Sequence, residues 1–277
     1  MKPVAFKLDV AKDLATASEL LSATSGDIKV LAGGQSLGPM LNLRLARPDG
    51  LASISEVPIL RKTEEMGSYV SFGAAVRHAE IEDKTVPDPS VGMMPHVASM
   101  IAYRAVRNKG TLGGSLCHAD PAADWVSTMT ALDATLVILT NDSETKTLPM
   151  LEFMMGAYRT ALEPTDILTA VRVPKCSPST VWGYYKVCRK VGAFADAIVA
   201  WVADPVRGYS RVVFGAGTGA PLVSRNLASI LAQTGQVPSL ETIKEEISLL
   251  DPRLDHVKAH LFTIALQRCV AGALGNE

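Results

Sequence analysis

Residues 107 to 125 read RNKGTLGGSLCHADPAADW, a glycine-hinged stretch that leads into a marked helix start. Gly110, Gly113 and Gly114 tolerate backbone angles that a Cβ resists, so successive N–H groups are free to turn toward one anion. Asp120 reads as an N-cap and Pro121 as the first helical residue, with Trp125, Met129 and Leu132 following at helical spacing. A ligand held by this loop is therefore delivered to a helix N-terminus, where unpaired N–H groups and the helix dipole favour phosphate. Asp124 is acidic where phosphate would be repelled, so it suits a hydroxyl of a ribityl or ribose chain. The stretch points to a nucleotide-type ligand, although a plain glycine turn between a strand and a capped helix uses the same residues. Within it, Cys117 stands beside His118 as a candidate nucleophile, or as a small residue filling space behind the loop.

Upstream, residues 4 to 8 predict a short strand, 12 to 23 a helix with Leu14, Ala17 and Leu21 inward, and Ile28 to Leu31 a second strand. This β-α-β unit runs into Leu31-Ala32-Gly33-Gly34-Gln35-Ser36-Leu37, a second glycine loop at a strand end. Two such loops, each with paired glycines and a following serine, can clamp a pyrophosphate from opposite sides. Residues 41 to 48 alternate apolar and basic side chains and read as an irregular strand or a half-exposed connection. Strands follow at Leu51 to Ile54, Arg61 to Thr63 and Tyr69 to Ala74, the last two forming a hairpin around Gly67-Ser68. His78, at a strand end, reads as structural, and residues 91 to 103 predict a helix despite Pro95.

Downstream, strands are predicted at Thr135 to Thr140 and Ile167 to Val173, and a boundary at Cys176 to Ser179. Trp182 to Val187, Ala197 to Val202 and Arg211 to Phe214 then form an antiparallel meander. Gly215-Ala216-Gly217-Thr218-Gly219-Ala220 matches a dinucleotide fingerprint in form only, because Pro221 follows and no second parallel strand is available. The segments Ser239 to Leu250 and Asp255 to Cys269 predict helices whose apolar stripes cover the meander.

Composition excludes several classes. Lys plus Arg number 27 against 28 for Asp plus Glu, a net charge of −1, so no global field holds nucleic acid or an anionic membrane. Hydrophobic residues make up 48% of 277 positions, enough for packed cores, yet no segment reads as a membrane span. With no signal-like N-terminal segment, a cytoplasmic location is expected. Cys117, Cys176, Cys188 and Cys269 form no C-x-x-C pair, so neither a zinc site nor an iron–sulfur cluster is expected on this chain, and any redox centre must be borrowed. No catalytic side chain and no metal ligand are assigned.

The motifs at residues 31–37 and 111–115, with Ala119-Asp120-Pro121-Ala122-Ala123-Asp124 behind, resemble the FAD-binding medium subunit of molybdenum hydroxylases, the xanthine dehydrogenase and carbon monoxide dehydrogenase family. The resemblance covers nearly the whole chain and includes Asn42 to Pro48, Asp166-Ile167-Leu168 and Tyr185-Lys186. It implies an α+β protein with the FAD-binding fold of the PCMH (vanillyl-alcohol oxidase-like) type. Its parts would be a β-α-β FAD-binding unit over 1–55, a mixed α+β middle domain over 56–176, and a carbon monoxide dehydrogenase flavoprotein-like domain over 177–277, the last a three-stranded antiparallel sheet on helices. By resemblance, Leu31, Ala32, Gly33, Gly34, Gln35, Ser36 and Leu37, with Thr111, Gly113, Gly114 and Ser115, hold the pyrophosphate and adjoining groups of FAD. Asp124 takes a hydroxyl, Ile101 lies on the adenine side, and Leu168 and Lys186 reach the flavin region. From its spacing alone, Lys186 would be a strand lysine facing solvent.

The same resemblance implies a large molybdopterin-binding subunit and a small subunit with two 2Fe-2S clusters, assembled as a dimer of heterotrimers. Electrons would pass from the clusters through FAD to an external electron acceptor. The sequence departs from the family in the run Arg189-Lys190-Val191-Gly192-Ala193-Phe194-Ala195, where Ala193 replaces an acid. Ser115 stands where one branch has asparagine, and Asp255-His256-Val257 replaces a common serine and tyrosine-arginine pattern. The rival expectation is a non-catalytic nucleotide-binding or assembly module that keeps the fold.

Overall fold

The computed structural model describes residues 2–22 and 26–275. Its first unit comprises β1 (Lys7–Val10), α1 (Leu14–Ser22), β2 (Ile28–Leu31), α2 (Leu37–Asn42) and β3 (Gly50–Ser53). The three strands are parallel in the order β1-β3-β2, so the third strand lies between the two that open the chain. Asp13 Oδ1 accepts the Thr16 N–H at 2.7 Å and seats the start of α1, which buries Ala17 and Leu21 at helical spacing. The first strand falls at 7–10 rather than 4–8, and the helix end expected at residue 23 lies outside the described residues. Residues 41–48 finish α2 and then turn, with Arg44 at φ +58° and Leu43 and Leu45 exposed.

The second unit opens with a 3-10 turn at Pro58–Arg61, and the hairpin around Gly67-Ser68 pairs β4 (Thr63–Glu65), rather than residues 61–63, with β5 (Tyr69–Gly73). Helices α3 (His78–Glu82), α4 (Met93–Met100), α5 (Arg104–Arg107), α6 (Leu112–His118) and α7 (Asp124–Ala131) follow. Then come β6 (Thr135–Leu139), β7 (Thr145–Pro149), α8 (Met150–Phe153), the β8 (Met154–Gly156) and β9 (Arg159–Thr160) ribbon, and β10 (Ile167–Pro174). The sheet order is β4-β5-β10-β6-β7, with β10 antiparallel to both neighbours and a bulge between Leu168 and Ala170.

The third unit is an antiparallel meander of β11 (Val181–Val187), β12 (Ala197–Asp204), β13 (Tyr209–Gly215) and β14 (Leu222–Ser224). The three strands read from the sequence are joined by β14, too short to show a period. Gly215–Ala220 therefore turns into an antiparallel strand, as its rejection as a dinucleotide motif requires. Helices α9 (Arg225–Thr234), α10 (Leu240–Leu250) and α11 (His256–Leu274) each start on a side-chain cap, from Ser224, Ser239 and Asp255.

β12 explains how the units join. Its apolar run is buried on both faces: Val199 and Trp201 meet the helices, whereas Ile198, Ala200 and Val202 join the large core beneath α7. α7 is buried along its whole length, and its polar side chains Thr128 and Thr130 are satisfied by the carbonyls of Asp124 and Val126, both at 2.8 Å. Tyr209 and Arg211 of β13 donate to the Ala131 and Thr130 carbonyls at 2.6 and 2.7 Å, closing the other end. A Cβ at Gly215 would lie 1.9 Å from Ser127 Oγ, so β13 reaches α7 only because residue 215 has none. Among the described residues no helix is long and apolar enough to cross a membrane.

Candidate functional site

The two glycine motifs meet. β2 ends at Leu31, and the chain turns through Ala32 to Ser36, with Gly34 at φ +70°, before α2 begins at Leu37. A Cβ on Gly33 would stand 2.2 Å from the Lys109 carbonyl oxygen and 2.8 Å from Gly110 Cα, while one on Gly114 would face the Ala32 methyl at 3.7 Å. Among the described residues, no hydrogen bond uses the N–H of Gly33, Gly34, Gln35 or Ser36. Gln35 Nε2 folds back onto the Gly33 carbonyl at 3.0 Å, so the turn keeps its shape while four consecutive donors stay available.

The second motif differs from its sequence reading in two ways. Its glycine N–H groups are already used: Gly110 donates to the Val106 carbonyl at 2.7 Å, Gly113 to the Ala74 carbonyl at 2.9 Å, and Gly114 to Thr111 Oγ1 at 3.1 Å. Residues 112–118 form α6, with Thr111 as its N-cap, and Gly113 is required because a Cβ there would sit 2.5 Å from the Ala74 methyl. What this motif offers a ligand is the Thr111 and Ser115 hydroxyls and a face with no side chain at Gly114. The second correction concerns the following helix, which starts at Asp124 with Ala123 as N-cap rather than at Pro121. α6 stops at Ala119, φ +50°, and Asp120 then pins a turn by accepting the Ala122 N–H at 2.9 Å. The Ala216 N–H donates to the Pro121 carbonyl at 2.8 Å and holds that turn to the third unit.

His78 supports the second motif from beneath. It is 5% exposed, its Nδ1 accepts the Trp125 Nε1–H at 3.0 Å, and its Nε2 would lie 2.7 Å from a Cβ on Gly110. Burial, with Arg107 nearby, lowers its pKa to about 3, so the imidazole is a neutral acceptor and a structural residue, as read from the sequence. The folded pKa is depressed below the unfolded 6.5, so the stabilisation is complete above 6.5 and is lost as pH falls toward 3. Between pH 7 and pH 5, the native chain should lose about 2 kcal/mol more stability than a His78→Gln variant, measured by denaturant unfolding. Equal pH slopes would exclude a neutral buried imidazole.

Asp124 and Lys186 meet in a buried ion pair. Lys186 Nζ lies 2.9 Å from Asp124 Oδ1 and 3.1 Å from Oδ2, with side chains 2% and 8% exposed, so Lys186 does not face solvent. Tyr184, which the sequence reading passed over, donates its hydroxyl to Asp124 Oδ1 at 2.7 Å. The available signal was the two-residue spacing of Tyr184 and Lys186, which puts both on one face of β11.

Leu168 and Ile101 are linked through their neighbours to the second glycine motif. Leu168 is buried at the bulge of β10, and the carbonyl of its neighbour Thr169 accepts the Ala74 N–H at 2.9 Å, while the Ala74 carbonyl accepts the Gly113 N–H. Ile101 is half-buried at the end of α4, and its carbonyl accepts from Arg107 Nη1 at 2.9 Å. Arg107 is held in turn by Glu82 at 2.7 and 2.8 Å, which ties Ile101 to the segment leading into Lys109 and Gly110. The loop with Ala193 closes on the same place: Gly192 is at φ +81°, and a Cβ there would stand 2.4 Å from the Ala102 carbonyl oxygen. Cys117 packs partly buried against the main core, and burial pushes its thiol up to about 12, which leaves it a filler rather than a nucleophile. A cleft of about 450 Å³ between β8 and the β13–β14 turn contains none of the predicted residues. Its charged groups, Asp251 and Arg253, pair with each other at 3.0 Å, so the glycine loops remain the better candidate.

Facing glycine turns with four N–H groups left unpaired among the described residues, in an α+β protein, form an arrangement that suits a phosphate-bearing ligand. Residues 4–176 match the family described as "FAD binding domain in molybdopterin dehydrogenase". The chain belongs to that family; FAD is its cofactor, and it is an oxidoreductase component. It is 35% identical over 197 residues to the carbon monoxide dehydrogenase medium chain of Hydrogenophaga pseudoflava, covering 71% of this chain and 68% of that one. Against the nicotine 6-hydroxylase medium subunit of Paenarthrobacter nicotinovorans, identity is 36% over 222 residues, covering 79% and 77%. Among solved structures, carbon monoxide dehydrogenase from Hydrogenophaga pseudoflava superposes with a TM-score of 0.90 at 29% identity over 99% of both chains. The expected fold class is therefore met.

Proposed function

We propose that this chain is the FAD-carrying electron-transfer subunit of a heteromeric molybdenum hydroxylase, taking electrons from the 2Fe-2S clusters of a partner and passing them to an external acceptor. The observation that carries this reading is the row of unpaired N–H donors at residues 33–36, closed against the second glycine motif in a chain of this family. In this reading the partners are a small iron–sulfur subunit and a large molybdopterin subunit, arranged as a dimer of heterotrimers in the cytoplasm. The naming of relatives as medium chains of dehydrogenases and hydroxylases supports it. The three larger sheets are read as three units with boundaries near residues 55 and 177.

Bound FAD supplies a centre that accepts and releases electrons. The chain's own residues hold it. Donors at Gly33 to Ser36, with the Thr111 and Ser115 hydroxyls, balance the pyrophosphate charge, and Leu31 and Leu37 fix the two ends of that turn. Asp124 accepts from a hydroxyl. Lys186 keeps a positive charge close to the flavin region, and its pairing with Asp124 lets that charge be buried without a counter-ion from solvent. Leu168 and Ile101 supply apolar walls that exclude water.

After incubation with FAD and desalting, the chain, alone or co-expressed with its partner subunits, should retain flavin bands at roughly 370 and 450 nm. Dithionite should bleach the 450 nm band, and an added acceptor should restore it. Failure to retain FAD in the co-expressed complex would overturn the cofactor site. Retained flavin that dithionite cannot reduce would instead favour a binding module without redox use.

A further inference from the structure

Trp182, Tyr184 and Lys186 alternate along β11, so their side chains share the face turned toward α4 and α7. Each reaches a different group. Trp182 Nε1 donates to the Val91 carbonyl at 2.8 Å, the Tyr184 hydroxyl to Asp124 Oδ1 at 2.7 Å, and Lys186 Nζ to both oxygens of Asp124. His96 of α4 lies against both aromatic rings, with centroid separations of 5.5 Å to Trp182 and 6.4 Å to Tyr184. The tyrosine ring is thereby wedged between a strand and a helix, and its hydroxyl has a single place to point.

Counting donors on Asp124 shows what the tyrosine does. A carboxylate offers about four acceptor positions. Oδ1 receives Tyr184 and Lys186, and Oδ2 receives Lys186 alone, which leaves the open position on Oδ2. Lys186 cannot by itself decide which oxygen is left open, because an ammonium with rotating donors binds either edge of a carboxylate equally well. The hydroxyl of Tyr184 removes that symmetry.

We propose that Tyr184 is a positioning residue for the cofactor: by holding Asp124 Oδ1 it fixes Oδ2 as the acceptor for one hydroxyl on the ribityl or ribose chain of FAD. The inference rests on the reading of Asp124 as a cofactor-binding residue. Burial raises the Tyr184 phenol well above its ordinary range, so it remains a donor at neutral pH.

A double-mutant cycle on FAD affinity tests this, read by flavin fluorescence in whichever form retains FAD, the full chain or the co-expressed complex stripped and reloaded. Tyr184→Phe should weaken FAD binding about tenfold, the scale of one hydrogen bond to a charged group. Asp124→Asn should weaken it at least as much, and the double variant no further than Asp124→Asn alone. If Asp124→Asn does not fold, the cycle is run with Lys186→Met in both members, so that no buried charge is left alone. Loss in Asp124→Asn with full affinity in Tyr184→Phe would overturn the role of Tyr184 and leave the site standing. Additive losses would also overturn it, since Tyr184 would then act without Asp124. Full affinity in Asp124→Asn would overturn the site reading itself. A merely structural tyrosine would lower the unfolding temperature without the cycle's coupling.

Discussion

Gly33→Ala should lower FAD affinity by about a hundredfold while leaving the fold in place. The added Cβ would stand 2.2 Å from the Lys109 carbonyl oxygen and 2.9 Å from its carbon, and backbone atoms cannot escape by changing rotamer. Lys109 and Gly110 are not free to yield. Both donate to the Val106 carbonyl, at 3.1 and 2.7 Å, and the Gly110 carbonyl accepts the His78 N–H at 3.0 Å. The first loop must therefore move, and its unpaired donors move with it. A misplacement of about 1 Å is enough for a hundredfold effect on an oriented interaction. Gly38→Ala, whose Cβ meets nothing within 4 Å, is the matched control and should bind FAD as the native chain does. FAD titration of the two variants decides the matter: native affinity in Gly33→Ala would remove residues 33–36 from the site. Gly114→Val acts from the other side, because its Cβ would displace the Thr111 hydroxyl, 2.7 Å away, that receives the Gly114 N–H.

Lys186→Met should cost about 3–5 kcal/mol, because it leaves the Asp124 carboxylate in a core with only Tyr184 to bond it. Both side chains are nearly inaccessible, so water does not screen the loss. In a chain of this size, the unfolding temperature should fall by on the order of 10 °C. Adding Asp124→Asn should recover much of that, since the unpaired charge is gone even though the hydrogen bonds are not restored. Calorimetry on the two variants checks this, and an unfolding temperature for Lys186→Met within about 2 °C of native would mean that the pair is open to solvent.

Much of this arrangement was legible in the sequence where local chemistry decides it. The paired glycines after β2, the turn at Gly67-Ser68 and the stripes of the last helices have short-range causes, and they lie where those causes put them. Elements set by distant partners were not legible. α6 forms because Leu112 and Gly113 donate to the carbonyls of Val76 and Ala74, more than thirty residues earlier, so its glycines read as a loop. α7 starts late because the Asp120 turn is tied to Ala216, almost a hundred residues away. The identity of the free donors went the same way: which glycine N–H groups remain unpaired depends on which carbonyls the fold brings near them. Lys186 looked like a surface lysine because its counter-charge lies 62 positions upstream.

The placement of β10 between β5 and β6 bears on how the chain is made. Synthesis delivers both flanking hairpins, β4–β5 and β6–β7, well before the strand that joins them, so each waits on the ribosome with an open edge on the side that β10 will fill. That interval lasts until residue 174 has emerged, and during it the nascent chain offers two templates for mispairing with a neighbouring copy. Slower elongation should therefore lengthen that interval and raise aggregation, which faster synthesis or chaperone supply should relieve, whether or not FAD is abundant.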